Sequence, residues 1–204
     1  RDLCNVFALA RGFVPRPDYA KPFGTCPRAF QVPWQPSDDE RIAETEARIA
    51  ARTADVDRWA VADTGPTAGL RADAAADELA GLGSVADLGA GGMLLRDRLD
   101  PGTRYLPVDL FRFAADMELM DLERAPLASL GRHDAAAVLA VLEYLHDPER
   151  FLRGLGDVAG MAVLTYPLAG PADPPPQRRA RGLVNDLDEA GLQQLLAATG
   201  WSLG

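Results

Sequence analysis

The rhythm of apolar and polar positions changes near residue 84. Upstream, Ile42, Ile49, Val56 and Trp59 fall roughly on one face of a helix. Ser37 and Glu40 have capping-box spacing, which predicts a helix from Ser37 or Asp38 to about residue 62. The heptad spacing of Ile42, Ile49 and Val56 also suits a coiled coil, but one short stripe more often marks a docking helix. An Ala-rich helix is predicted over residues 66–82, with Pro66 suited to its first turn. Downstream of residue 84, short apolar runs alternate with turns and helical stretches. Strands are predicted at 84–88, 105–108, 118–120, 134–142 and 161–166. Helices are predicted at 93–99, 148–155 and 188–199, the last closed by Gly200 as a C-cap. Residues 167–181 read as a Pro-rich loop. The run at 134–142 is apolar almost throughout, as expected of a strand covered on both faces.

Alternating strands and helices predict an α/β fold, a Rossmann-like doubly wound and mostly parallel sheet. Residues 1–37 are punctuated by Pro15, Pro17, Pro22, Pro27, Pro33 and Pro36, which forbid a long helix. Their aromatics, among them Phe7, Phe13, Phe30 and Trp34, are too many for a disordered tail. The expected organisation is an irregular arm at 1–37, N-terminal helices at 38–82 and the α/β core at 83–204. The arm is expected to pack on the core, on a second copy in a homodimer, or on a neighbouring domain.

Composition narrows the function classes. The 204 residues are 48% hydrophobic and 25% charged, ordinary for a soluble domain. A formal net charge of -9 argues against a broad phosphate-binding surface, so no nucleic-acid partner is expected. The apolar runs are too short to cross a bilayer, and residues 1–15 lack the pattern of a signal peptide. Cys4 and Cys26 make neither a disulfide framework nor a zinc site, and no metal is expected. A cytoplasmic location fits these features.

The sharpest local signal is the turn Asp87-Leu88-Gly89-Ala90-Gly91-Gly92-Met93, where a strand enters a helix. Glycines there let the backbone approach a ligand, and a helix start offers free N–H groups. Asp109 follows Gly89 by 20 residues, at the end of the second strand, where a carboxylate can accept both hydroxyls of a ribose. Together these features point to a nucleoside-type ligand; a tight structural turn is the simpler alternative. A dinucleotide site wants a third glycine where Leu94 stands, which opposes a nicotinamide-dependent oxidoreductase. The carboxylate of Asp87 suits a cationic ligand better than a diphosphate.

At these residues the chain resembles the class I S-adenosylmethionine-dependent methyltransferases. Residues 87–93 resemble the family's first motif, and Asp109 matches its ribose-holding acid. Asp121-Leu122 resembles the adenine-contacting segment. Val138 to Pro148, VLAVLEYLHDP, resembles the fourth strand and its loop in small-molecule methyltransferases, and Asn185 to Trp201 resembles the late helix. The likeness covers about residues 66–204. It implies S-adenosylmethionine as cofactor, with Asp87, Gly89, Ala90 and Gly91 around its methionine part, Asp109 and Leu110 at the ribose, and Asp121 and Leu122 at the adenine. It also implies methyl transfer to a small-molecule acceptor, such as a natural-product or glycan intermediate. Departures are Met93 in place of a glycine, a short second crossover between Asp109 and Asp121, and no final hairpin before Gly204. They motivate the alternative of a catalytically inactive methyltransferase-like scaffold.

Catalytic candidates follow the fourth strand. Glu143 and Tyr144 stand where open α/β sheets point into the ligand crevice. His146 has the pKa range of a general base, although a loop-capping role is the simpler reading. Tyr166, at the end of the fifth strand, suits either an acceptor pocket or strand-end packing. Arg178, Arg179 and Arg181 read as a solvated cluster, with an acidic acceptor as the alternative.

Overall fold

The computed structural model describes residues 13–15, 31–33, 37–60 and 66–203. They form two compact units, Arg1–Glu40 and Arg41–Gly204. In the first, β1 (Phe13–Pro15) pairs antiparallel with β2 (Gln31–Pro33), so the arm carries a small ribbon where irregular chain was expected. The remaining arm residues, with most of the aromatics behind its expected contact role, lie outside the described residues.

The capping box at Ser37 forms as its spacing predicts. Glu40 N–H donates to Ser37 Oγ at 3.3 Å, and Ser37 N–H donates to Glu40 Oε2 at 2.8 Å. The helix does not reach residue 62 as expected. α1 (Asp38–Ala51) stops where Arg52 takes a left-handed φ of 51°, and a single turn, α2 (Val56–Trp59), resumes. The expected apolar face is therefore split, and Val56 is exposed. α1 buries Thr45, whose hydroxyl donates to Arg179 O at 2.8 Å.

The second unit is built on five parallel strands in the order β5-β4-β3-β6-β7. They are β3 (Ser84–Leu88), β4 (Arg104–Asp109), β5 (Glu118–Leu119), β6 (Ala135–Leu139) and β7 (Ala162–Thr165). Period-two alternation divides the core between the sheet's faces. Val85, Ala135 and Ala137 pack with Ala72 and Ala75 of α3 (Pro66–Glu78) and with Leu79 just after it. Ala86, Leu88, Ala136 and Val138 pack with Phe151, Leu152 and Leu155 of α4 (Pro148–Val158) and Leu196 of α6 (Glu189–Ala198). β3 and β6 are buried on both faces, which explains the unbroken apolar sequence of β6.

Three expectations change. The helix at 93–99 is a single 3-10 turn at Arg96–Arg98, because Met93 adopts a φ of 55° and breaks the helical path. β6 ends at Leu139 rather than 142: Ala140 turns left-handed at a φ of 57°, and a 3-10 turn at Leu142–Tyr144 follows. The loop at 167–181 contains a short helix, α5 (Pro175–Ala180), whose proline occupies the first turn, where a missing N–H costs nothing. The second crossover is short, as read: turns alone join β4 to β5. Among the described residues, no helix is long and apolar enough to cross a membrane.

Candidate functional site

Strand order reverses between β3 and β6, so their C-terminal ends open a crevice, the place where such sheets take ligands. The glycine turn leaves β3 there. Gly89 and Ala90 N–H both donate to Val108 O, at 2.8 and 3.0 Å, which bends the chain sharply back over β4. Gly89 has a φ of 82°, and a Cβ on it would lie 2.3 Å from Val141 Cγ2, so this position admits only glycine. Gly91 also has a positive φ, 48°. Its N–H donates to Asp109 Oδ2 at 2.8 Å, and Phe111 N–H approaches Asp109 Oδ1 at 3.3 Å. Each carboxylate oxygen of Asp109 thus has one backbone donor and a remaining lone pair, which suits two neighbouring hydroxyls.

Asp87 is buried at the end of β3, and Tyr105 donates its hydroxyl proton to Asp87 Oδ2 at 2.5 Å. Burial pushes its carboxyl up to about 6; the Tyr105 hydrogen bond opposes that shift, and the nearby Asp109 charge adds to it. A cation placed beside Asp87 would restore the ionised form.

The opposite wall comes from the ends of β6 and β7. Asn185 Nδ2 donates to Leu142 O and Leu145 O, at 2.8 and 3.0 Å, and Val184 N–H donates to Glu143 O at 2.9 Å. These bonds fix the turn that carries Glu143, which is only 3% exposed. Its Oε2 has no hydrogen-bond partner among the described residues. Burial pushes the Glu143 carboxyl up to about 7 against the pull of Arg71, Arg178 and Arg181. Tyr144 meets Trp59 edge-on, with centroids 4.3 Å apart.

Between these walls lies a cavity of about 850 Å³. Asp87, Gly89, Ala90, Gly91, Asp109 and Leu110 line it on the β3–β4 side. Asp121 and Leu122 line it after β5, and Glu143 and Tyr144 after β6. His146 does not line it. Its side chain is 5% exposed, and its backbone N–H donates to the Glu123 carboxylate at 3.0–3.1 Å. It borders a separate void of about 10 Å³, so no general-base role in the large cavity follows from its position. Met93 is not on the cavity wall either; what its position demands is a left-handed backbone.

Sequence reading missed Trp59, Arg71, Phe113 and Val141, which also line the cavity. Arg71 sits beside the Ala68–Ala72 stripe of α3, in a helix that looked purely structural. The arginines after β7 correct the reading of a solvated cluster. Arg178 is fully buried, and all five of its N–H donors are used. Nε meets Asp186, Nη1 meets Pro167 O and Asp173, and Nη2 meets Asn185 O and the Tyr166 hydroxyl, at 2.7–3.0 Å. Arg179 pairs with Asp186 and Arg181 with Asp173. Tyr166 lines the cavity, and its hydroxyl donates to Asn185 Oδ1 at 2.5 Å. Among the described residues no His, Cys, Asp and Glu cluster could hold a metal ion.

Comparison with solved structures places this architecture. The N-terminal domain of EvdMO1, crystallised with SAH bound, matches at 25% identity and a TM-score of 0.50 over 67% of this chain and 72% of that one. The same domain in the presence of SAH and D-fucose also matches at 25% identity and 0.50, over 68% of this chain and 74% of that one. The mitomycin 7-O-methyltransferase MmcR matches at 17% identity and 0.52, over 80% of this chain and 61% of that one. No protein-family model and no curated protein matches the chain. The fold is that of the class I methyltransferases.

Proposed function

We propose that the chain binds S-adenosylmethionine in the large cavity and transfers its methyl group to a small-molecule acceptor. The observation that carries this reading is Asp109, anchored by Gly91 and Phe111 N–H beside a glycine turn, at the edge of a cavity of about 850 Å³. That volume is in the upper part of the range for small-ligand sites, about 300–1,000 Å³. The chemistry of the lining fits the cofactor. Asp109 offers paired acceptors for a ribose diol, and Asp87 offers a carboxyl whose ionised form gains from a cation. Leu122 and Met120 supply an apolar wall for a nucleobase. The neighbouring EvdMO1 domain, a structure with SAH bound, supports the same assignment.

When bound, S-adenosylmethionine supplies an activated methyl group on a good leaving group. The chain's own work is then to orient the acceptor and exclude water. Glu143 and Tyr144 stand at the acceptor end, and Trp59, Tyr166 and Leu183 close it with apolar surface. The scaffold alternative loses one of its motives, because Met93 lies off the cavity wall.

Calorimetric titration of S-adenosylmethionine and S-adenosylhomocysteine into wild type and Asp109→Ala tests the reading. Micromolar binding that Asp109→Ala weakens by about 2 kcal/mol or more is expected, since two hydrogen bonds to a charged group are lost. A folded wild-type chain that binds neither compound would overturn it.

A further inference from the structure

We propose that Thr165, at the end of β7, is a positioning residue for the glycine turn at the end of β3, acting through Ala140 and Val141. The inference rests on the cofactor reading above and deepens it. Parallel pairing of β6 with β7 runs as far as Leu139 and Thr165. The next residue, Ala140, leaves the strand with a φ of 57°, a left-handed region that Cβ crowding makes roughly 5–30-fold less populated for an L-residue. Its partly buried N–H needs an acceptor. Thr165 Oγ1 supplies one at 2.9 Å. A side-chain hydroxyl therefore holds a backbone conformation that alanine does not favour by itself. Such outliers persist only where neighbouring groups enforce them, and they gather at ligand sites.

What the held turn delivers is Val141. Its Cγ2 lies 2.3 Å from the place a Cβ would take on Gly89, so the valine fills the space the glycine leaves open. Gly89 begins the segment whose N–H groups donate to Val108 O and, from Gly91, to Asp109 Oδ2. Glycine has wide backbone freedom, so a turn built on it needs a neighbour that narrows its choices. Val141 is that neighbour. Gly89, Ala140, Val141 and Thr165 all line the cavity. One chain of contacts thus runs along its wall, from the end of β7, through the turn after β6, to the glycine turn.

Without the Thr165 hydroxyl, Ala140 relaxes toward an ordinary backbone region and carries Val141 off Gly89. Only the molecules that keep the turn in place then bind cofactor, and the apparent affinity falls by that fraction.

The test compares the whole chain as wild type, Thr165→Val, Thr165→Ser, Ala140→Gly and the double variant Thr165→Val with Ala140→Gly. Valine keeps the shape of the side chain and removes the acceptor, whereas serine keeps the acceptor. Titration calorimetry of S-adenosylhomocysteine should show about 5–20-fold weaker binding in Thr165→Val, and binding within about threefold of wild type in Thr165→Ser. The double variant should return to within about threefold of wild type, because glycine adopts a left-handed φ unaided. A loss of packing at Thr165 would not be repaired by glycine at residue 140. Amide hydrogen exchange of the ligand-free protein reads the same coupling. Thr165→Val should speed exchange at Ala140 and also at Gly89 and Ala90, while α6 keeps its wild-type rates; adding Ala140→Gly should restore protection at Gly89 and Ala90. The inference is overturned if Thr165→Val binds as wild type does, or if the double variant stays as weak as Thr165→Val. It is equally overturned if Gly89 and Ala90 keep their protection while Ala140 loses its own, or if α6 loosens to the same extent. A wild type that binds neither S-adenosylmethionine nor S-adenosylhomocysteine would instead remove the cofactor reading, and hydrogen exchange alone would then decide the coupling.

Discussion

Gly89→Ala tests whether the glycine turn is required by its own backbone or by Val141, in the turn after β6. Two separate costs are visible. Gly89 has a φ of 82°, a region that costs an L-residue about 1–2 kcal/mol. Its new Cβ would also lie 2.3 Å from Val141 Cγ2, far inside contact distance. Relieving such an overlap by moving a packed side chain typically costs about 1–3 kcal/mol. Gly89→Ala should therefore destabilise the protein by about 2–5 kcal/mol in urea titration. Val141→Ala alone should cost about 1–2 kcal/mol for the methyl groups lost from a partly buried site. In the double variant the clash disappears, because the nearest remaining atom, Val141 Cβ, is 3.6 Å away. The backbone strain persists. The double variant should thus be more stable than the two single effects predict, by about 1–3 kcal/mol. Additivity within about 0.5 kcal/mol would show that Val141 is not what forbids a side chain at Gly89. That result would refute the steric account.

Three further outcomes are expected. Met93→Gly should raise stability by up to about 1 kcal/mol, glycine's greater freedom when unfolded offsetting part of the relieved strain; S-adenosylmethionine affinity should not change, and a lower melting temperature would count against the strain at its φ of 55°. Burial raises the folded carboxyls of Asp87 to about 6 and Glu143 to about 7, so the folded chain binds more protons than the unfolded one between about pH 4 and 7. Their contribution to stability is present at low pH and lost as pH rises through those values, so urea midpoints of wild type should fall relative to Glu143→Gln between about pH 5 and 8; a flat difference would contradict it. Arg178→Met should cost about 3–5 kcal/mol by leaving Asp173 and Asp186 without their buried partner. Arg178→Lys should rescue little, because one ammonium cannot serve five acceptors; near-wild-type stability of the lysine variant would show the fork geometry to be dispensable.

Sequence alone determined what depends on local chemistry. The strand at 84–88, the capping box at Ser37, the C-cap at Gly200 and the acid at the end of β4 were legible because each rests on residues close in the chain. The same holds for the short link from β4 to β5, residues 110–117, which is too short for a full crossover helix. What tertiary structure decided is where long-range packing or backbone strain intervenes. The apolar run at 134–142 did not reveal that Ala140 would turn left-handed and end β6, setting Glu143 on the cavity wall. The charges of Arg178, Arg179 and Arg181 read as solvent-facing, since nothing local shows that Asp173, Asp186, Tyr166 and Asn185 converge on one buried guanidinium. His146 and Glu143 are three residues apart and were equal candidates by type. The fold sets Glu143 among the residues that line the cavity and leaves His146 outside them, because the turn after the broken strand is held by partners that lie some forty residues downstream.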